Sequence, residues 1–199
     1  MKTYHLGLLV LILSSCGGGG SSGLESISPP ETDNDDSYNE TCIDTSRSGM
    51  KRCDFKHDNL NRFYYIYTPN NLNTNESIPV LFAFHGYGSS AMRHLSYTNY
   101  FLLADSDNFI VIYPQGATTA TLSTHWNVGS WTSKSTINDL DFVDTVIGLV
   151  KDKIQIDETR IYSSGMSNGG YMGYHLACNL SSKFAAIASV TGSMTNDTY

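Results

Sequence analysis

Residues 160–179 read RIYSSGMSNGGYMGYHLACN, and the fold turns on this stretch. Arg160 to Ser164 is a short strand, and a helix is predicted from about Asn168 to Asn179. Between them lies Gly165-Met166-Ser167-Asn168-Gly169. In G-x-S-x-G the glycines stand two residues either side of the serine, where a sharp strand-to-helix reversal would drive any Cβ into neighbouring backbone. Such a turn thrusts Ser167 Oγ out over the carboxyl end of a sheet. It also places the Asn168 amide at a helix start, aimed at an anion beside the serine.

The flanking sequence supplies the sheet. Arg62 to Thr68 (RFYYIYT) is aromatic and β-branched and stops at Pro69. Val80 to Phe84 (VLFAF) and Phe109 to Tyr113 (FIVIY) are short all-apolar runs, as strands buried on both faces must be. Ala185 to Val190 is a further strand. Helices are expected over Ala91–Ala104 and from a cap at Asn138 or Asp139, carrying Phe142, Val143, Val146, Ile147, Val150 and Ile154 at helical spacing. Alternating strands and helices imply an α/β fold with a mostly parallel, doubly wound sheet. Residues 117–137 show no period and read as a long functional loop.

Phe84-His85-Gly86-Tyr87-Gly88 follows the VLFAF strand directly. Glycines there let backbone approach a substrate oxygen, so the Tyr87 N–H, or Gly86 in another register, is the expected second oxyanion donor beside Asn168. His85 is expected to shape this loop rather than to shuttle protons. Gly165, Gly169, His85 and Gly86 are thus structural members of the elbow. Trp126 and Asn127, in the long loop, either line the acyl pocket or simply pack.

The chain has 199 residues, 40% of them hydrophobic, enough for one domain with a sizeable core. Its formal net charge of −7 comes largely from seven acids between residues 17 and 44, where no base occurs. That excludes a basic nucleic-acid footprint and marks a solvated tether. Lys2, the apolar run Leu6–Leu13 and Ser14-Ser15-Cys16 resemble a bacterial lipoprotein signal, too short to span a bilayer. Residues 1–15 are then removed, and Cys16 carries a lipid anchor at the outer membrane or cell surface; a secretory peptide with an incidental Cys16 is the alternative. Residues 16–41 read as a flexible Gly/Ser and acidic linker, and 42–199 as the folded domain. Cys42 and Cys53, either side of Gly49 in an exported chain, predict a disulfide-closed hairpin. No metal-ligand spacing occurs, and neither metal nor nucleotide cofactor is needed for the chemistry expected at Ser167.

Taken in order, PVLFAFHGYGSS, FIVIYPQG, His125-Trp126-Asn127, DLDFVDTVI, IDETRIYSSGMSNGGYMGYHLAC and KFAAIASVTGSM resemble the polyhydroxybutyrate depolymerase and feruloyl esterase group, related to family-one carbohydrate esterases. The resemblance covers roughly residues 60–195. It implies the α/β-hydrolase fold, Ser167 as nucleophile, Asn168 and Tyr87 amides as oxyanion donors, and hydroxyalkanoate, feruloyl or acetyl esters as substrates. Such enzymes place an acid and then a histidine after the nucleophile. Here the single later histidine is His175, eight residues along the same helix and about 12 Å away by axial rise. Asp197 falls one strand too early, and His125 is a weak alternative base. The expectation is a serine esterase whose acid, histidine and last strands lie beyond residue 199, leaving these 199 residues inactive alone. The alternative is a tethered lipoprotein with a binding or structural role.

Overall fold

The computed structural model describes residues 38–195. The expected signal peptide, Cys16, most of the linker and Asp197 lie outside the described residues. Packing begins within the stretch read as linker: the Tyr38 ring meets Phe55 edge-on at 5.8 Å, and Tyr64 Oη donates to Glu40 at 2.6 Å.

The strands β1 (Thr41–Asp44) and β2 (Met50–His57) form a hairpin that places Cys42 opposite Cys53, and a disulfide joins them. β2 continues into β3 (Leu60–Tyr67) through Asp58 and Asn59, both at positive φ, as a two-residue hairpin turn demands. Then come β4 (Ile78–Phe84), α1 (Ala91–Thr98), α2 (Tyr100–Asp107) and β5 (Ile110–Pro114). A 3-10 turn at Ser130–Thr132, α3 (Asp139–Lys151), β6 (Ile156–Met166), α4 (Asn168–Asn179) and β7 (Ala186–Val190) complete the order. The seven strands make one sheet, β1-β2-β3-β5-β4-β6-β7, antiparallel through β3 and β5 and parallel among β5, β4, β6 and β7.

Both faces of the central strands are covered. Phe82, Phe84, Ile110 and Ile112 pack with Phe142, Val146, Met172 and Leu176 of α3 and α4, while Ala83, Val111 and Tyr113 face Ala91, Leu95 and Ala104 of α1 and α2. Two expectations are corrected. The helix expected over 91–104 is two helices, because Asn99 adopts a left-handed conformation (φ 51°) and its N–H closes on Leu95 O. The strand expected at Arg160 already starts at Ile156, which pairs with Ile78 before a register shift.

A buried ion pair ties β3 to α3. Arg62 donates to Asp139 Oδ1 at 2.7 Å, with both side chains at most 3% exposed, and its guanidinium lies 3.7 Å over the Phe142 ring. Removing one partner strands the other charge in the interior, so Asp139→Ala should cost about 3 to 5 kcal/mol, roughly 10 °C in Tm. Glu158→Ala, which breaks the exposed pair with Lys151, should cost less than about 1 kcal/mol in the same thermal melts.

Candidate active site

Strand β6 ends at Met166 and α4 begins at Asn168, leaving Ser167 alone at the reversal with φ 52° and ψ −119°. A non-glycine residue there carries about 1–3 kcal/mol of strain, and persists only where its surroundings over-determine it. They do so here: Ser167 N–H donates to Val190 O at 2.8 Å, and its carbonyl accepts from Tyr171 N–H at 3.0 Å. The flanking glycines are required by close approach. A Cβ at Gly165 would sit 2.2 Å from Gly169 O, and one at Gly169 would sit 2.1 Å from Phe84 O.

The loop after β4 runs beside the serine. A Cβ at Gly86 would lie 3.6 Å from Ser167 Cβ. His85 is fully buried, and its Nε2 accepts the Gly116 N–H at 3.0 Å. A backbone N–H can only donate, so the ring proton sits on Nδ1, which donates to Gly86 O at 2.8 Å. Ser89 N–H bonds the same carbonyl at 3.1 Å. Gly86 O and Tyr87 N–H belong to one planar trans peptide and point opposite ways. Holding the carbonyl against His85 therefore turns the Tyr87 N–H away from the core. Among the described residues neither the Tyr87 nor the Asn168 amide has a hydrogen-bond partner, and Asn168 opens a helix whose first N–H groups are unsatisfied within it. Two such amides flanking a serine suit a developing oxyanion.

The long loop locks elbow and oxyanion loop together. Asn168, fully buried, accepts the Trp126 N–H on Oδ1 at 2.7 Å and donates from Nδ2 to Trp126 O at 3.0 Å, copying a backbone pairing. Trp126 Nε1–H donates to His85 O at 2.9 Å. Trp126 is fully buried, its ring edge-on to Phe84 at 5.1 Å, so of its two expected roles the structure assigns packing, not pocket lining. Asn127 likewise serves the loop. Its N–H donates to Asp139 Oδ2 at 2.8 Å and its Nδ2 to Ile137 O at 2.8 Å.

No histidine among the described residues bonds Ser167. His125 is buried with Nδ1 on Ser123 O at 2.8 Å, and His175 pairs with Asn179 along α4. His57 stands between Asp141 and Asp58, with Nε2 2.9 Å from Asp141 Oδ2 and Nδ1 3.8 Å from Asp58 Oδ2. The sequence reading missed Trp131, which is 44% exposed and packs against Tyr87 at 5.4 Å and Tyr171 at 6.2 Å. The preceding Gly129-Ser130 pair, a turn signal, was its one trace in the sequence.

Burial pushes His85 and His94 down to about 4, from an ordinary 6.5. As pH falls through 6.5 the unfolded chain takes up these protons, while the native chain does so only near 4. Stability should therefore be full above pH 6.5 and fall towards pH 4, each histidine adding a slope of up to about 1.4 kcal/mol per pH unit. Urea denaturation across that window checks this, and His85→Gln should remove one of the two contributions.

Comparison with known proteins bears on the fold that carries this geometry. Residues 93–199 match the model of the prolyl oligopeptidase family, Peptidase_S9. A bifunctional acetylxylan esterase/xylanase of Neocallimastix patriciarum is 34% identical over 66% of this chain and 18% of its own length. Feruloyl esterase B of Thermothelomyces thermophilus is 31% identical over 76% of this chain and 50% of its own. The chain thus spans half or less of the length of these curated relatives. Among solved structures, an acetyl xylan esterase from Aspergillus awamori superposes with a TM-score of 0.54 at 23% identity, covering 64% of this chain and 46% of that one. An S-formylglutathione hydrolase from Agrobacterium tumefaciens gives 0.59 at 14% identity, covering 74% and 60%. Both likenesses share the layered sheet described above. With more than half of its length matched by the family model, the chain belongs to the prolyl oligopeptidase family of α/β-hydrolases.

Proposed function

We propose that the protein is an exported serine esterase, held to a membrane by lipid on Cys16 and acting on feruloyl or acetyl esters of a polysaccharide or on polyhydroxyalkanoate. The observation that carries this reading is Ser167, held in a strained turn between two amides that have no hydrogen-bond partner among the described residues. The curated relatives, esterases by name, favour an ester over a peptide bond.

On this reading Ser167 Oγ attacks the ester carbonyl carbon and gives up its proton to a base. The carbonyl oxygen takes the negative charge between the Asn168 and Tyr87 N–H groups. The tetrahedral intermediate collapses, the alcohol leaves with the proton returned by the base, and an acyl-serine remains. Water, deprotonated in the same way, then releases the acid and restores Ser167. The described histidines do not supply this base, so the reading places the base and its acid outside residues 38–195.

The protein expressed from its whole reading frame should hydrolyse p-nitrophenyl acetate and methyl ferulate, with Ser167→Ala losing at least about a thousandfold in kcat. Equal rates in the variant overturn the proposal. So does cleavage of a prolyl p-nitroanilide in place of esters, or retention on xylan or polyester particles without any turnover, the behaviour of a tethered binding protein. In bacterial cells, labelled palmitate should enter the protein and be lost in Cys16→Ser; equal labelling of the variant removes the anchor from the proposal.

A further inference from the structure

Three aromatic side chains form an open row around the nucleophile. Tyr87 belongs to the oxyanion loop and is 42% exposed, and Trp131 is 44% exposed. Their rings meet at 5.4 Å and 69°, and Trp131 meets Tyr171 at 6.2 Å and 82°. Tyr171 lies one helical turn after Ser167, its N–H on the Ser167 carbonyl, so the row is fixed to the site at both ends.

The turn that carries Trp131 is built to hold it out. Gly129 has φ 68° and Ser130 φ 49°, both in the left-handed region that side chains avoid. The buried Thr132 hydroxyl anchors the turn beneath, accepting Val128 N–H at 2.9 Å and donating to Gly129 O at 2.8 Å. The turn thus holds Trp131 against Tyr87 and Tyr171 while leaving it 44% exposed. Tyr87 is braced from the same side, its Oη accepting the Ser123 N–H at 3.1 Å.

The surroundings select the ligand. Residues 116–137 carry ten Ser and Thr hydroxyls and a single formal charge, Lys134. Aromatic faces on a loop rich in hydroxyls and almost without charge suit a pyranose, whose axial C–H groups stack on a ring while its hydroxyls exchange hydrogen bonds with polar groups and with water. An anionic polymer would find no cationic cluster there. An aromatic acyl group would gain more from an enclosed apolar pocket than from Tyr87 and Trp131, both nearly half open to solvent.

We propose that Tyr87, Trp131 and Tyr171 form a stacking subsite for a neutral pyranose chain, which holds a polysaccharide across the mouth of the Ser167 site. For its purpose in turnover this rests on the esterase reading; as a binding site it does not.

Trp126 is fully buried and Trp131 exposed, so the acrylamide-quenchable fluorescence that the protein loses in Trp131→Phe reads Trp131. In the full-length protein carrying Ser167→Ala, saturating xylohexaose should remove most of the acrylamide-quenchable component. By calorimetry Trp131→Ala should bind xylohexaose at least about tenfold more weakly, and Trp131→Phe should recover much of the loss. An unchanged far-UV circular dichroism spectrum and melting temperature in both variants show that the fold is kept. Quenching unchanged by xylohexaose, in a protein that still hydrolyses esters through Ser167, overturns the subsite and leaves the esterase. Protection by methyl ferulate and not by xylohexaose also overturns it, assigning the rings to an aromatic acyl group. Protection by xylohexaose in a protein that hydrolyses no ester keeps the subsite and overturns the esterase.

Discussion

Everything at the site depends on how closely the start of α4 approaches the end of β4. Only a glycine admits the contact, since a Cβ at position 169 would overlap the Phe84 carbonyl oxygen at 2.1 Å. β4 and β6 are neighbours, with Phe84 registered against Gly165, so their carboxyl ends coincide and the two loops that follow emerge side by side. The helix must then start within one residue of the strand's end. Ser167 takes the positive φ that results, and its hydroxyl is left above the sheet.

Such a turn needs support, and Trp126 gives it from a distance in sequence. Its main chain holds the Asn168 side chain and its indole N–H holds the His85 carbonyl, so one residue couples elbow and oxyanion loop. His85 extends the chain of bonds to Gly116 and, through its other nitrogen, to the peptide that carries the Tyr87 amide. Burial keeps that imidazole neutral, and the neutral tautomer is the form with one donor and one acceptor that these partners require. Preorganisation here comes from a closed, buried hydrogen-bond network rather than from apolar packing alone.

What the sequence showed and hid follows from the range of the forces involved. Strands β4 and β5 were legible because burial on both faces leaves a continuous apolar run, and the elbow because its glycines mark a steric requirement within five residues. The break at Asn99 is also local, but an asparagine between two apolar helical stretches does not reveal its φ. The clamp was hidden for another reason: Trp126 and Asn168 are 42 positions apart, and Arg62 and Asp139 are 77. Nothing in a single chain marks which polar groups will meet over such spans. The two tryptophans of the aperiodic loop looked alike, and Trp126, left between pocket and packing by the sequence, is a core residue.

The difference between the two tryptophans has a physical logic. Residues 126 and 131 lie on one loop, yet one faces the interior and the other water. Thr132 closes the 3-10 turn, its hydroxyl bonded to Val128 and Gly129, and Asn127 joins that turn to the framework: its Oδ1 accepts from the Gly129 N–H and from the Thr132 hydroxyl at 3.4 Å, while its own N–H donates to Asp139. The turn that carries Trp131 is thereby tied to the neighbour of Trp126, the residue whose bonds orient Asn168 and His85. A change at residues 130–134 alters what a substrate meets outside the site, whereas a change at Trp126 reaches the amides flanking Ser167. The loop thus carries both a surface that a ligand meets and the framework that positions the reacting groups, and the hydrogen bonds of Asn127 with Thr132 and Asp139 join the two.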